Sequence, residues 1–156
     1  MIKAILASDQ AEVLNWPVKE RMTAEVQGTL EVANGLKISY INQDTSYLEG
    51  SLDDYMKKLG VDESRMKALL RQLDFERVQF EKNLEDYSEG QKKKVLIAGS
   101  LLQQAHLYIW DEPLNYIDVF SRMQIEQLIR SFWPTMILVE HDRHFGEQCL
   151  AMNIRM

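Results

Sequence analysis

The sequence lacks the features that mark several classes of small protein. It has one cysteine, Cys149, so it cannot form an internal disulfide, and we expect a reducing compartment such as the cytoplasm. Seven glycines and three prolines in 156 residues are too few for a loop-dominated scaffold. The apolar runs at residues 107–110 and 136–139 are far shorter than the ~18 residues needed to cross a bilayer. Residues 1–7 are too short for a secretory signal.

Positive charge is also scarce. The chain has 18 Lys and Arg against 24 Asp and Glu, which gives a net charge of −6. A molecule with this balance has no general basic field for nucleic acid, so it would have to bind a polyanion locally. Hydrophobic residues make up 46% of the chain and charged residues 27%, as in ordinary globular proteins. We therefore expect residues 1–156 to form a single domain.

The clearest fold signal lies in the last third of the chain. The apolar runs 107–110 and 136–139 are typical of buried strands, and residues 121–132 between them have helical spacing. This order predicts an α/β fold with parallel core strands. Each apolar run ends in polar residues, Asp111 and Glu112 after the first and Glu140, His141 and Asp142 after the second. Because ligands of parallel sheets bind at the carboxyl ends of strands, these residues are site candidates.

The first third of the chain is less regular. Residues 1–7 are interpreted as a helical stub, and no clear period follows them. Alternating apolar residues over 29–42 surround Asn34 and Gly35, which favours an N-terminal β-hairpin with a tight turn.

Three helices are predicted in the middle of the chain. Ser51 and Asp62 can cap the first two, and Gly60 separates them. The third and strongest helix begins near Ser88, and its residues Lys92, Lys93 and Lys94 are expected to face water. We expect residues 44–90 to form a mainly helical segment and residues 91–156 to form the core.

Two candidate sites have competing interpretations. Asp111 and Glu112 could bind a hydrated magnesium ion and activate water, or could cap the turn before Pro113. The segment Ser88-Glu89-Gly90-Gln91 could bind an anion at the helix start, since free backbone N–H groups point outward there, or could be a simple capping motif.

Two further candidates are weaker when taken alone. His141 could contact a phosphate or transfer a proton, it could bind a metal together with Asp142 and His144, or it could lie in a surface turn. Gln43, after the predicted strand ending near Asn42, carries almost no information by itself.

The order of these elements resembles that of the ATP-binding cassette (ABC) superfamily. Gln43 matches its Q-loop, residues 88–91 its signature, 107–112 its Walker B strand with the adjacent glutamate, 115–118 its D-loop and His141 its switch histidine. More narrowly, residues 107–118 resemble the second cassette of the ABC-F class, soluble tandem-cassette proteins that act on ribosomes and include antibiotic-resistance factors. The resemblance covers about residues 30–145, and residues 1–6 resemble the helix that follows the phosphate-binding loop.

The resemblance implies ATP and Mg²⁺ as cofactors and a role for each matching residue. Asp111 would hold the metal, usually through water, and Gln43 would sense the metal and the attacking water. Glu112 would be the general base, and His141 would contact the γ-phosphate.

The remaining motif residues imply a partner. Ser88, Gly90 and Gln91 would bind the nucleotide held by an opposing ABC domain, and Asp118 would lie at the seam between the two domains. That partner would be a second cassette, tandem or in a homodimer, placed head to tail. Contact with the ribosome would come through the parent protein.

One departure from the family is large. A phosphate-binding loop requires Gly-Lys-Ser or Gly-Lys-Thr, yet no glycine here precedes a lysine and no lysine precedes serine or threonine. The expected position is just before Met1, so we interpret the chain as a partial cassette and predict weak or no ATP hydrolysis by the isolated chain. A smaller departure is Glu89, which places a negative charge where glycine is common.

Two alternatives remain. The chain could be a non-catalytic module that supplies its signature to a complete cassette. It could instead be a metal-dependent hydrolase that uses Asp111, Glu112, His141 and His144, but this interpretation explains neither Gln43 nor the signature.

Overall fold

A parallel β-sheet organises the chain in the structure, a computed structural model that describes residues 3–7, 34–149 and 153–155. In chain order the elements are β1 (Lys3–Ala7), β2 (Ile38–Ile41), α1 (Leu52–Leu59), α2 (Glu63–Gln72), α3 (Glu89–Leu102), β3 (Leu107–Asp111), α4 (Val119–Phe132), β4 (Met136–Val139), α5 (Arg143–Cys149) and β5 (Asn153–Arg155). Two short 3₁₀ turns, Arg77–Glu81 and Leu84–Asp86, lie between α2 and α3. None of the described helices is both long enough and apolar enough to span a membrane.

The strands lie in the order β2-β3-β4-β1-β5, and each neighbouring pair is parallel. The unit β3-α4-β4 is the strand-helix-strand unit predicted from the two apolar runs, so that prediction is confirmed. Since β2, β3 and β4 are adjacent and parallel, the residues that follow them meet at one edge, here called the carboxyl edge.

The N-terminal helix prediction is wrong. Residues Lys3–Ala7 form β1, which pairs with β4 on one side, with Lys3 opposite Met136, and with β5 on the other. A strand in this position gives hydrogen-bond partners to the backbone N–H and C=O groups of β4, which would otherwise form an unpaired edge. The same finding overturns the match of residues 1–6 to a helix that follows a phosphate-binding loop.

The structure describes the turn and the second strand of the predicted hairpin, and the hairpin itself stays a prediction. Asn34 and Gly35 form a turn in which Gly35 has φ +80°, a conformation that suits glycine. The second arm is β2, which pairs in parallel with β3, Ile38 lying opposite Leu107. The first arm falls within residues 29–33, which lie outside the described residues.

Helices α1 and α2 begin where their capping residues predict. The side chains of Ser51 and Asp62 accept hydrogen bonds from the backbone N–H groups of Asp54 and Arg65. Gly60 ends α1 with φ +66°. Both helices contribute side chains to the apolar core, including Met56, Met66 and Leu70.

Helix α3 packs between these helices and the sheet. A buried hydrogen-bond network joins it to β2 and β3, because the hydroxyl of Ser100 lies 2.7 Å from that of Ser39 and accepts from Trp110 Nε1 at 2.9 Å.

The prediction that the three lysines near the start of α3 face water is wrong for two of them. Lys93 and Lys94 are only 1% and 7% exposed. Each ammonium group has a partner within the fold, which offsets the cost of burial.

Candidate functional site

Asp111 and Gln43 meet at the carboxyl edge. Asp111 is the last residue of β3 and is 1% exposed, and Gln43 Nε2 donates to its Oδ1 at 3.2 Å. Burial raises the pKa of the Asp111 carboxyl, while the hydrogen bond from Gln43 lowers it. The parallel pairing of β2 with β3 places Ile41 opposite Trp110, so the residues that follow each strand are neighbours. This geometry explains why two residues 68 positions apart come into contact.

Glu112 is held by its backbone and by both of its carboxylate oxygens. Its φ of +44° is unusual for a residue with a side chain, and its backbone N–H donates to Val139 O at 2.9 Å. One carboxylate oxygen lies 3.0 Å from His141 Nε2, and the other accepts from Asn115 Nδ2 at 2.6 Å. The carboxylate of Glu112 is thus fixed next to the imidazole of His141, and it directly follows Asp111 in the chain. A carboxylate in these surroundings has the chemistry of a general base.

Glu140 was a site candidate from its position after the second apolar run, but the sequence assigned it no role. Its buried carboxylate accepts hydrogen bonds from the backbone N–H of Leu114 at 3.0 Å and of His141 at 3.0 Å. Burial raises the pKa of Glu140, and the backbone hydrogen bonds from Leu114, Asp142 and His141 lower it. The side chain therefore ties the turn after β4 to the loop after β3. Its position directly after a buried apolar run was the signal that could have identified this role.

Asp142 and His144 do not join His141 in a metal site. Asp142 Oδ2 lies 3.5 Å from Arg122 Nη1, and His144 is exposed on α5. Arg122 also donates to the carbonyls of Ile117 and Leu114. Within residues 3–7, 34–149 and 153–155 no three His, Cys, Asp or Glu side chains are grouped to hold a metal ion. The structure therefore gives no support to the metal-dependent hydrolase alternative.

The predicted capping motif at the start of α3 is confirmed. Ser88 Oγ accepts from the backbone N–H of Gln91 at 3.3 Å, and Gln91 Oε1 accepts from the backbone N–H of Ser88 at 3.0 Å. This reciprocal pair is a capping box, which fixes where the helix begins. Because a hydroxyl that accepts one hydrogen bond can still donate its own proton, the cap and an anion-binding role for Ser88 are compatible.

Gly90 packs directly on the loop that follows β3. A Cβ atom at this position would lie 2.4 Å from the carbonyl oxygen of Tyr116, which is closer than real Cβ contacts come. Tyr116 itself has φ +65° and is 76% exposed. The absence of a side chain at Gly90 therefore lets residues 88–91 and residues 115–118 approach each other.

Asp118 connects the 115–118 loop to α3 by charge. It caps α4 by accepting from the backbone N–H of Ser121 at 2.8 Å, and its Oδ2 lies 2.8 Å from Lys94 Nζ. Burial on its own raises the pKa of Asp118, but the hydrogen bonds from Lys94 and Ser121 lower it well below its ordinary value.

Glu89 also has partners within the chain. Its carboxylate accepts from Thr45 Oγ1 and lies 3.3 Å from Lys92 Nζ. The hydrogen bond from Thr45 lowers the pKa of Glu89 most, so the group is negatively charged at neutral pH but already hydrogen-bonded. Glu89 occupies a position of the 88–91 motif where glycine is common. Its negative charge is directed towards Thr45, in the segment that follows β2.

The predicted site residues fall into two connected groups. Gln43, Asp111, Glu112 and His141 form one cluster at the carboxyl edge. Ser88, Gly90 and Gln91 form the other at the start of α3, and Gly90 and Lys94 join it to residues 115–118. The oxygen donors beside Asp111 suit Mg²⁺, which needs only one or two protein carboxylates and keeps several water molecules.

Comparisons with known proteins show the family of the chain. The family model described as ABC transporter matches residues 9–115. The chain is 28% identical over 127 residues to the ribosome protection protein VmlR of Bacillus subtilis (strain 168), and 30% identical over 127 residues to the ATP-binding protein Uup of Buchnera aphidicola. These alignments cover 78% and 76% of the chain but 23% and 21% of the relatives, so the chain spans about a quarter of the length of the relatives it matches.

Solved structures show the same fold. One, a complex of the archaeal ribosomal stalk protein aP1 and the archaeal ribosome recycling factor aABCE1, superposes with a TM-score of 0.74 at 22% identity. The match covers 97% of this chain and 31% of the other. A second, the ATP-binding subunit of an ABC transporter, has a TM-score of 0.72 at 20% identity, and the match covers 99% of this chain and 74% of that one. Because the family match covers more than half of the chain, the protein belongs to the ABC transporter family.

Proposed function

We propose that this chain is an ATP-binding cassette domain of the ABC-F type, without a phosphate-binding loop in these 156 residues, that has an ATP and Mg²⁺ site at the carboxyl edge and a signature segment at the start of α3. The observation that carries the proposal is the carboxyl-edge cluster, in which Gln43 contacts Asp111 and His141 contacts Glu112. The capped start of α3, joined to the 115–118 loop through Gly90, supports the second half of the proposal. Residues 1–156 would act together as one partial domain.

Each residue of the cluster would have a distinct role towards ATP and Mg²⁺. Asp111 would hold the metal through water, and Gln43, already hydrogen-bonded to Asp111, would respond to its arrival. Glu112 would accept the proton of the attacking water, and His141 would contact the γ-phosphate. When bound, Mg²⁺ would neutralise charge on the phosphate oxygens.

The amide cradle and lysine of a phosphate-binding loop would come from outside these 156 residues. The sequence contains no Gly-Lys dipeptide and no Lys-Ser or Lys-Thr dipeptide. Since phosphoryl transfer depends on positioning and charge stabilisation, a chain without that loop would turn over ATP weakly or not at all. Purified chain should therefore show little or no magnesium-dependent hydrolysis. Turnover at a rate typical of the family, abolished by Glu112→Gln, would contradict this part of the proposal.

The second candidate function is a non-catalytic module that pairs head to tail with a complete cassette. The specific observation in its favour is that residues 88–91 and 115–118 are held together by contacts within the chain. Ser88, Gly90, Gln91 and Asp118 would face the partner's nucleotide. The chain is similar to a ribosome protection protein and, in fold, to a ribosome recycling factor. These similarities favour a parent protein that acts on ribosomes in the cytoplasm.

A binding experiment tests the signature role directly. We expect an intact ABC cassette of an ABC-F protein, carrying its own phosphate-binding loop, to bind this chain more tightly when ATP is present, as measured by analytical ultracentrifugation. Ser88→Arg should abolish that gain by filling the anion site. Ser64→Arg is the matched control, because Ser64 is exposed on α2, away from the site. Absence of ATP-dependent binding, or equal binding by both variants, would refute the proposal.

A further inference from the structure

Lys93 is a buried ammonium group at the carboxyl edge. It lies in the second turn of α3, is 1% exposed, and donates from Nζ to the backbone carbonyl of Asn42 at 3.0 Å. One hydrogen bond to a neutral carbonyl does not compensate the charge of a buried ammonium. The group therefore requires negative charge nearby.

Strand register shows where that charge comes from. Ile41, the last residue of β2, lies opposite Trp110 in β3, so Asn42 and Asp111 leave their strands next to each other. Gln43, which follows Asn42, donates to Asp111 Oδ1. The carbonyl that binds Lys93 is thus one residue from the side chain that binds Asp111.

The electrostatic balance at Lys93 agrees with this placement. Burial lowers the pKa of Lys93, whereas four carboxylates raise it, in the order Asp111, Glu112, Glu89 and Glu140. Asp111, Glu112 and Glu140 all lie at the carboxyl edge, at or just after the ends of β3 and β4. The neighbouring lysines are arranged differently, since Lys92 lies 3.3 Å from Glu89 and Lys94 lies 2.8 Å from Asp118.

We propose that Lys93 is the resident counter-cation of the carboxyl edge, and that a divalent cation bound at Asp111 competes with its positive charge. Lys93 thereby stabilises the closely spaced carboxylates before any metal arrives, while its hydrogen bond holds the segment that carries Gln43. It is a positioning residue and not a catalytic one. The inference rests on the metal-binding role given to Asp111 under the proposed function, but it needs neither nucleotide nor a partner cassette.

Metal binding by the chain alone tests the inference. Mn²⁺ is the probe, and free Mn²⁺ is measured by electron paramagnetic resonance without nucleotide. We expect Lys93→Met, which keeps most of the length of the side chain and removes its charge, to tighten Mn²⁺ binding by about tenfold, as loss of a neighbouring like charge predicts. Lys92→Met is the matched control on the same helix and should bind within about twofold of wild type, because its main partner is Glu89.

Two further measurements keep the test decisive if Lys93→Met folds poorly. Lys93→Arg retains the charge and should bind Mn²⁺ as weakly as wild type. The rise in thermal midpoint on replacing EDTA with Mn²⁺ should be larger in Lys93→Met than in wild type, because tighter binding to the folded state stabilises it more, and this rise can be measured even if the variant starts from a lower midpoint. An equal rise in the two proteins would overturn the inference, and so would equal affinity in Lys93→Met and wild type.

The two proposals can fail separately. Unchanged Mn²⁺ affinity in Lys93→Met would refute the counter-cation role and leave ATP-dependent pairing intact. Tighter Mn²⁺ binding that disappears in Lys93→Met combined with Asp111→Asn would support the counter-cation role. Failure of the chain to pair with a cassette would then refute the signature role alone.

Discussion

The ammonium of Lys94 lies 2.8 Å from Oδ2 of Asp118, the residue that caps α4. One residue earlier in α3, Lys93 is bound to the carbonyl of Asn42. Consecutive residues of one helix therefore hold the segment that follows β2 and the segment that follows β3. The relative position of these two segments is set by α3 without any ligand.

Asp118→Asn should weaken the fold in a pH-dependent way. Asparagine can still cap α4, so the loss at neutral pH is that of the charge pair with Lys94, about 1 kcal/mol of unfolding free energy, because solvent screens the half-exposed carboxylate of Asp118. The pKa of Asp118 is lowered in the fold, so its contribution is present above about pH 4, the unfolded value, and is lost as the pH falls below it.

Urea unfolding of both proteins between neutral and acidic pH measures this effect. Wild type and Asp118→Asn should converge as the pH decreases. Asp86→Asn, at a solvent-exposed aspartate in a 3₁₀ turn, is the control and should follow wild type. A constant difference across the whole range would contradict the assignment.

Gly90→Ala should destabilise the protein although alanine favours helices. The added methyl group would lie 2.4 Å from a backbone carbonyl of the 115–118 loop, so the loop or α3 would have to move. We expect a loss of about 1–3 kcal/mol in unfolding free energy, typical of overpacking.

Gly99→Ala, in the same helix, is the matched comparison. Its methyl group would lie 2.7 Å from Cδ1 of Leu59, the end of a flexible side chain that can rotate away. The gain in helix propensity, about 1 kcal/mol, should then offset much of the cost. Chemical denaturation measures the unfolding free energy of both variants. An equal loss in Gly90→Ala and Gly99→Ala would mean that the close approach to Tyr116 does not make Gly90 less tolerant of a methyl group.

Glu140→Ala should be among the more damaging single changes in the described residues. It would leave the backbone N–H groups of Leu114 and His141 without their acceptor in a buried region. The expected loss is about 2–3 kcal/mol in unfolding free energy. Glu49→Ala removes an exposed carboxylate and should change stability by about 0.5 kcal/mol or less. If Glu140→Ala lost as little stability as Glu49→Ala, water would be replacing the carboxylate of Glu140 as the hydrogen-bond acceptor.

Ser100→Ala should destabilise the core by about 1–3 kcal/mol in unfolding free energy, because it leaves Trp110 Nε1 and Ser39 Oγ without their buried partner. Ser131→Ala, where the hydroxyl is exposed on α4, should cost far less. Thermal denaturation compares the two, and similar losses would mean that the buried network has little net value.

Local sequence signals predicted the elements whose ends are fixed locally. The caps Ser51 and Asp62, the glycine Gly60 and the two apolar runs that became β3 and β4 act within a few residues, so they could be identified without the fold. Family motifs added the residues of the candidate site, because their order along the chain is informative even where each is weak alone.

The predictions that were wrong or incomplete concern residues whose structure depends on partners far away in the chain. Residues 3–7 are a short apolar run that suits a helix or a strand, and pairing with β4 and β5 determines the outcome. Three consecutive lysines suggest a solvated face, yet the acceptor of Lys93 is 51 residues away. The role of Glu140 was missed because the N–H group of Leu114, 26 residues earlier in the chain, is what it binds.

The buried serine network also sets the angle of α3 about its own axis. Ser100 lies seven residues after Lys93, close to two full helical turns, so both side chains project from the same side of the helix. Ser100 binds Ser39 and Trp110, which belong to the two strands whose ends carry Asn42 and Asp111. A rotation of α3 by one residue, about 100°, would break that network and also turn Lys93 away from the acidic edge. An uncharged hydroxyl about 10 Å further along the helix thus determines which lysine reaches the carboxylates.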